Sequence, residues 1–318
     1  MLNRKAVESF FETYTSTYDS SDPKIKLKID HTYRVAALCE AIAESANALA
    51  ASPASSSSRA AKNLAGSPNS DLAWVKTPSL ARDRADKSWG NGSAASITTR
   101  GTRATNLASL GLDSERRVNP DLAWLSGMLH DIGRFEQIRR YNTFVDSQSI
   151  DHAQLSADLL FSEGLLQLLP VTLTKEQENI LEVAIRSHSA YRLEPDLTEE
   201  EYTYCDILRD ADKIDIFRVN CDTPKEDIYN VTTEELLTSP VSSGVKKCFD
   251  NRIAVIRSLR KYPADYIVGH ICLYYELVYP LSRKIAREQG YLNKLLNFPS
   301  ENPDTRAWFS YMKKHIYT

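Results

Sequence analysis

No two of the five cysteines stand in a CxxC spacing. Cys39, Cys205, Cys221, Cys248 and Cys272 are scattered and odd in number, which disfavours a disulfide framework or a thiolate zinc site and suits a reducing compartment. Long apolar runs are missing too. The most apolar late stretch, YIVGHICLYYELVYPL, is interrupted by His270, Glu276 and Pro280 and is too short to span a bilayer. The opening residues, MLNRKAVESFFETYTSTYDSS, lack the apolar core of a signal peptide. Neither sign of charge dominates: 39 Lys and Arg stand against 42 Asp and Glu, and charged residues make up 25% of the chain. That balance argues against both disorder and a globally basic nucleic-acid binder. Period-two alternation is nearly absent, so sheet is not expected. A soluble, cytoplasmic, all-α protein with no membrane partner is the expectation, and 318 residues suffice for a sizeable core.

What the chain does have is helical periodicity. Residues 32–50 carry Val35, Leu38, Cys39, Ile42, Ala46 and Leu49 at spacings of three and four, an amphipathic stripe. Thr174 with Gln177, and Thr198 with Glu201, have the form of capping boxes and predict two further helix starts. Gly164 is expected to end a helix that begins near Asp151. Beyond residue 245 two or three more helices are expected, punctuated at Pro263 and Gly290. Residues 51–117 differ, being rich in Ser, Ala, Thr, Gly and Arg without periodicity. They are expected to form a flexible insert, with a nucleic-acid or partner-binding arm as the weaker alternative. The echo of SPNSDLAW at 67–74 in VNPDLAW at 118–124 fits either a duplication or chance. The organisation expected is a core of residues 1–50 and 118–220, the insert between, and a C-terminal helical extension, 221–318, packed on the core.

Polar, chargeable groups fall on the apolar stripes. His31 shares the face of Val35, Leu38 and Ile42; His130 follows the small residues Ala123, Ser126 and Gly127. His152 precedes Leu155 and Leu159, His188 follows Ala184 and Ile185, and Asp212 follows Cys205 and Leu208. Alone, each reads as well as a hydrogen-bonded core residue. Together, four histidines and the carboxylates of Asp131 and Asp212 directed into one bundle call for a shared counter-charge. A divalent metal supplies it, since neutral imidazole and carboxylate are its natural ligands. With no cysteine in the set, Mn, Fe or another ion that favours nitrogen and oxygen fits better than structural zinc.

The stretches IDHTYRV, LSGMLHDIGRF, DHAQLSADLLF, AIRSHS and LRDADKIDIF, in the order H…HD…H…H…D, resemble the successive motifs of the HD-domain superfamily of metal-dependent phosphohydrolases. The resemblance covers residues about 25–50 and 118–220. It implies a helical bundle in which His31, His130, Asp131 and Asp212 are the four ligands of the basic site. His152 and His188 match the extra histidines of members that hold two ions, with Asp131 as the bridge. Arg134, where the family often has lysine after HDIG, and Lys213 are candidates to steady phosphate charge; with Asp131 they make up the expected catalytic set. Arg34 is expected to pack against a carboxylate, and His270 and His315 belong to no motif. The chain departs from the family in the wide gap between His31 and His130. The GYP tripeptide and doubled histidine of cyclic-di-GMP phosphodiesterases are also missing, which disfavours that substrate.

The function so implied is hydrolysis of a small phosphate ester or anhydride, a nucleotide by preference, by a metal-bridging hydroxide. The cofactors implied are two divalent ions, Mn or Fe foremost, with Mg, Co, Ni or Zn compatible. The partner expected is a small phosphorylated substrate, with nucleic acid disfavoured. One alternative from the same superfamily is a di-iron oxygenase that cleaves a carbon bond with O₂. Another is a non-catalytic ligand-sensing module, which is disfavoured because no ligand position is lost.

Overall fold

The structure is a computed structural model and describes residues 2–51, 117–224 and 231–318. The insert expected at 51–117 lies outside the described residues except for its two ends; so does all of SPNSDLAW at 67–74, whereas VNPDLAW at 118–124 is described. Helix α1 spans Arg4–Thr15 and α2 spans Pro23–Ala50. The stripe read over 32–50 is thus the later part of a longer helix. The Asp22 carboxylate accepts from the Lys24 amide and Pro23 fills the first turn, so the helix starts there. Next come α3 (Pro120–Leu129) and α4 (Ile132–Tyr141), separated only by His130 and Asp131. Helix α5 (His152–Ala157) runs into a π-type turn at Asp158–Ser162, and the chain then turns at Gly164, whose φ is +83°. Helices α6 (Lys175–Ser187) and α7 (Glu199–Asp222) open on the two capping boxes, both fully formed.

More helices follow α7 than the sequence suggested, and they are shorter: α8 (Thr233–Thr238), α9 (Ser243–Asp250), α10 (Pro263–Cys272), α11 (Pro280–Glu288), α12 (Tyr291–Leu296) and α13 (Pro303–His315). Proline is the reason. Pro263, Pro280 and Pro303 each stand in a first turn, where a missing N–H costs nothing, and each forces the preceding helix to have ended. No strand occurs among the described residues, and none of their helices is long and apolar enough to cross a membrane. The fold is all-α.

Two close approaches set the geometry of the centre. A Cβ on Gly127 of α3 would stand 2.5 Å from the Ala36 Cα of α2, so only glycine lets these helices cross so tightly. A Cβ on Gly133 of α4 would stand 2.6 Å from the Ser156 amide of α5, and the Gly133 N–H donates to Ser156 Oγ at 2.9 Å. The first contact brings α2 to the end of α3; the second brings α5 to the start of α4.

Helix α7 is the axis. Thr203 to Asp215 are buried without interruption, although the run includes Asp206, Arg209, Asp210, Asp212, Lys213 and Asp215. A helix buried on every side must pair such groups internally. Asp210 accepts the Val278 and Tyr279 amides at 2.9–3.0 Å, so a carboxylate closes the N-terminus of α11. Ile207 and Leu208 of α7 share one apolar cluster with Val35 and Ile42 of α2 and with Val245, Ile267, Leu292 and Phe309 of the C-terminal helices. The C-terminal helices are therefore packed on the same core that carries the polar cluster.

Candidate metal centre

His31 lies one turn before Val35 on the inward face of α2 and is 1% exposed. His130 ends α3, and its Nδ1 lies 2.8 Å from the Gly127 carbonyl. Asp131 follows at the start of α4, where an aspartate ordinarily turns its carboxylate onto the first free amides of its helix. It makes no such bond, and its side chain points inward instead. His152 opens α5 with Nδ1 2.7 Å from Asp146 Oδ2, and His188 ends α6 with Nδ1 2.7 Å from the Ile185 carbonyl. His31 Nδ1 lies 2.6 Å from Asp215 Oδ2.

Each imidazole thus presents Nδ1 to an oxygen that only accepts. In the neutral ring this assigns the proton to Nδ1 and leaves a lone pair on Nε2. All four lone pairs converge in two pairs. His31 Nε2 and His130 Nε2 are 3.3 Å apart, and His152 Nε2 and His188 Nε2 are 3.1 Å apart. Two acceptors at such distances repel unless a cation lies between them.

Asp131 stands between the pairs. Its Oδ2 is 3.6 Å from His31 Nε2 and 3.5 Å from His130 Nε2; its Oδ1 is 3.6 Å from both His152 Nε2 and His188 Nε2. Asp212 Oδ1 completes the first group, 3.2 Å from His31 Nε2 and 3.9 Å from His130 Nε2. Donors sharing an ion at about 2.0–2.2 Å lie about 3.0–3.5 Å apart in tetrahedral or octahedral geometry. The spacings here approach that range. Asp131 Oδ1 is also buried with no hydrogen-bond partner, an omission that ordinarily costs about 1–3 kcal/mol. The donor set and this orphaned oxygen both fit a pair of divalent ions that share Asp131.

Electrostatics favour the ligand forms of His130, His152, Asp131 and Asp212, whereas the pairing of His31 with Asp212 and Asp215 favours its imidazolium. Burial pushes the His130 pKa down to about 3 and lowers that of His152, where Arg134 adds to the effect. For His31, burial and Lys28 push the other way from the bonds to Asp212 and Asp215, and the net shift is upward. Burial disfavours the charge on Asp131, but Lys28 above all, 2.6 Å from Oδ2, holds the carboxyl well below its ordinary range. Asp212 is likewise held low against its burial, chiefly by the hydrogen bond with His31.

All six residues expected as ligands are therefore brought together, drawn from α2, the α3–α4 junction, α5, α6 and α7. Arg34 meets a carboxylate as expected, its Nε 2.7 Å from Asp215 Oδ1. Arg134 and Lys213 are disposed differently from the expectation. Arg134 Nη1 is directed to Gln137 Oε1, the Phe144 carbonyl and Asp146 Oδ1 at 2.6–2.9 Å, behind the ligands. Lys213 is 2% exposed, and its ammonium donates to the Arg209 carbonyl at 3.2 Å. The Lys213 ammonium is committed to the protein interior, whereas the Arg134 Nε makes no hydrogen bond among the described residues and lies 3.7 Å from Asp131 Oδ1. His270 on α10 and the exposed His315, stacked on Tyr311, are in none of the ligand groups.

Three residues at the centre went unread: Lys28, Asp146 and Asp215. Lys28 stands one turn before His31, and Asp215 one turn after Asp212, so helical spacing carried a signal for both. Asp146 opens a single 3-10 turn, Asp146–Gln148, six residues before His152, where no periodicity points to it.

The family model of the HD domain matches residues 102–216, a stretch that includes His130, Asp131, His152, His188 and Asp212 but not His31. No curated protein and no solved structure matches the chain.

Proposed function

We propose, from the match of residues 102–216 to the family model of the HD domain, that this protein is a metal-dependent phosphohydrolase acting on a small phosphate ester or anhydride, with a nucleotide as the preferred class. His31, His130, Asp212 and Asp131 Oδ2 would hold one ion; His152, His188 and Asp131 Oδ1 would hold the other. Two such ions supply an activated water near neutral pH and offset charge on the phosphate oxygens. The chain's own contribution is orientation. Asp215 and the Gly127 carbonyl fix the rings of His31 and His130, and Asp146 and the Ile185 carbonyl fix those of His152 and His188. Lys28, on Asp131 Oδ2, keeps the shared carboxylate ionised and ready to bind.

The observation that supports this reading most is the convergence of four Nε2 lone pairs on the two oxygens of one carboxylate. It is tested by metal analysis of the purified protein, coupled to a screen of nucleotides and generic phosphodiesters with Mn²⁺, Fe²⁺ and Mg²⁺. Metal content with phosphate release under nitrogen is the expected result. Iron-dependent O₂ uptake without phosphate release would move the assignment to carbon-bond oxygenation. Full metal content without turnover on any substrate would move it to a sensing role.

A further inference from the structure

The ligand residues of the centre are anchored differently. His31 and Asp212 project from the interiors of long helices, each held by continuous backbone hydrogen bonding on both sides. His188, like His130 at the end of α3, lacks that support on one side. It is the residue at which α6 stops; the Ser187 carbonyl keeps one amide partner, the Ala190 N–H at 3.1 Å, and Arg209 of α7 adds a second donor there and reaches the carbonyls beyond it. Its Nη1 lies 3.0 Å from the Ser187 carbonyl, 3.2 Å from the His188 carbonyl and 2.6 Å from the Ala190 carbonyl. The side chain is 2% exposed and among the largest fully buried ones in the protein. A guanidinium suits the place in charge as well as shape, since a cation is favoured at the negative end of a helix.

We infer that Arg209 is a positioning residue for the second ion: by gathering the carbonyls that flank His188, it fixes that imidazole opposite His152 and Asp131 Oδ1, and without it the second half-site is lost while the first remains. This rests on the reading of the centre as a site for two ions. The first half-site draws on α2, α3 and α7, none of which depends on the chain at 187–190 for its ligand atoms. The guanidinium touches neither a ligand atom nor a reacting group, so its effect passes through His188. Lysine is no substitute, because its ammonium stands one bond nearer the backbone than Nη1 and falls short of the carbonyls that Nη1 reaches.

The test is equilibrium dialysis against Mn²⁺ with metal counted per chain, applied to the wild-type protein, Arg209→Gln and Arg209→Lys. Electron paramagnetic resonance reports whether bound Mn²⁺ ions are coupled. The expected result is two coupled ions in the wild type and one uncoupled ion in Arg209→Gln. The retained ion should keep its affinity within about threefold, and the second should weaken by at least about tenfold, as removal of a residue that orients a ligand predicts. Arg209→Lys preserves charge and most of the volume, and should show the same selective loss if Arg209→Gln does not fold. Two ions held with wild-type affinity in the folded variants would overturn the inference, as would equal weakening of both. One ion in the wild type would overturn it as well. No metal in the wild type would instead overturn the reading on which it rests.

Discussion

Gly127→Ala is the smallest change that should separate the two helices carrying His31 and His130. The added Cβ would lie 2.5 Å from Ala36 Cα and 2.8 Å from Ala36 N, and both are backbone atoms with no rotamer to yield. Ordinary carbon contacts are about 3.5–4.0 Å, so α2 and α3 must part by about 1 Å. Overpacking of this kind costs about 1–3 kcal/mol. The same displacement acts directly on the 3.3 Å spacing of the two Nε2 atoms, which no side-chain rotation restores while both Nδ1 bonds are kept. Metal affinity should therefore fall by more than stability alone explains, at least about tenfold, as for loss of a group that orients a ligand. Gly244→Ala is the control. Its Cβ would meet only the tip of the Leu259 side chain, at 3.2 Å, on a helix that carries no ligand. It should be neutral, or stabilising by up to about 1 kcal/mol from helix propensity. Chemical denaturation gives the stability and a Mn²⁺ titration the affinity. Gly127→Ala with wild-type Mn²⁺ affinity would refute the claim that this crossing sets the ligand pair, whatever happens to stability.

Asp215→Asn should weaken metal binding by about 10–100-fold, because His31 loses the carboxylate that fixes its ring, and calorimetry of Mn²⁺ binding measures it. His270→Ala should leave metal content and turnover close to wild type, since that ring belongs to none of the ligand groups; a matching loss of metal would contradict this. Metal-free protein should become less stable on acidification. His130 titrates near 6.5 when unfolded but at about 3 when folded, so the unfolded state binds more protons between those values and stability falls as pH drops through that window. The slope is at most about 1.4 kcal/mol per pH unit for one histidine. His152 acts in the same direction, and the upward shift of His31 offsets part of it. Denaturation midpoints in the presence of chelator that rise as pH falls from 6.5 towards 5 would contradict this assignment.

The clustering of His31, His130, His152, His188 and Asp212 is legible because each stands at a helical spacing from apolar or small residues, so the inward face of a helix is read without knowing its neighbour; Asp131 is legible only from the HD dipeptide. Thr174 and Thr198 announced their helices because a capping box is a local device of four residues. The short C-terminal helices are less legible: two or three are expected beyond residue 245, because Pro280 and Pro303, unlike Pro263, are not given their places in first turns. Side-chain direction was harder still. Arg134 and Lys213 carry a charge suited to phosphate at positions that the family resemblance points to, but the packing of α7 on every side, which turns Lys213 inward, is not legible from either motif. His31 is the sharpest case: it stands far from His130 in the chain and outside the matched HD domain, yet its ring nitrogen meets that of His130.

Metal content of the wild-type protein beside Asp131→Ala tests the central claim most directly, because one carboxylate serves both halves of the centre. Measured by elemental analysis after loading with Mn²⁺ and removal of free ion, the account predicts two ions per chain in the wild type and none in the variant. A variant that keeps its ions, or a wild type that holds none, would contradict it.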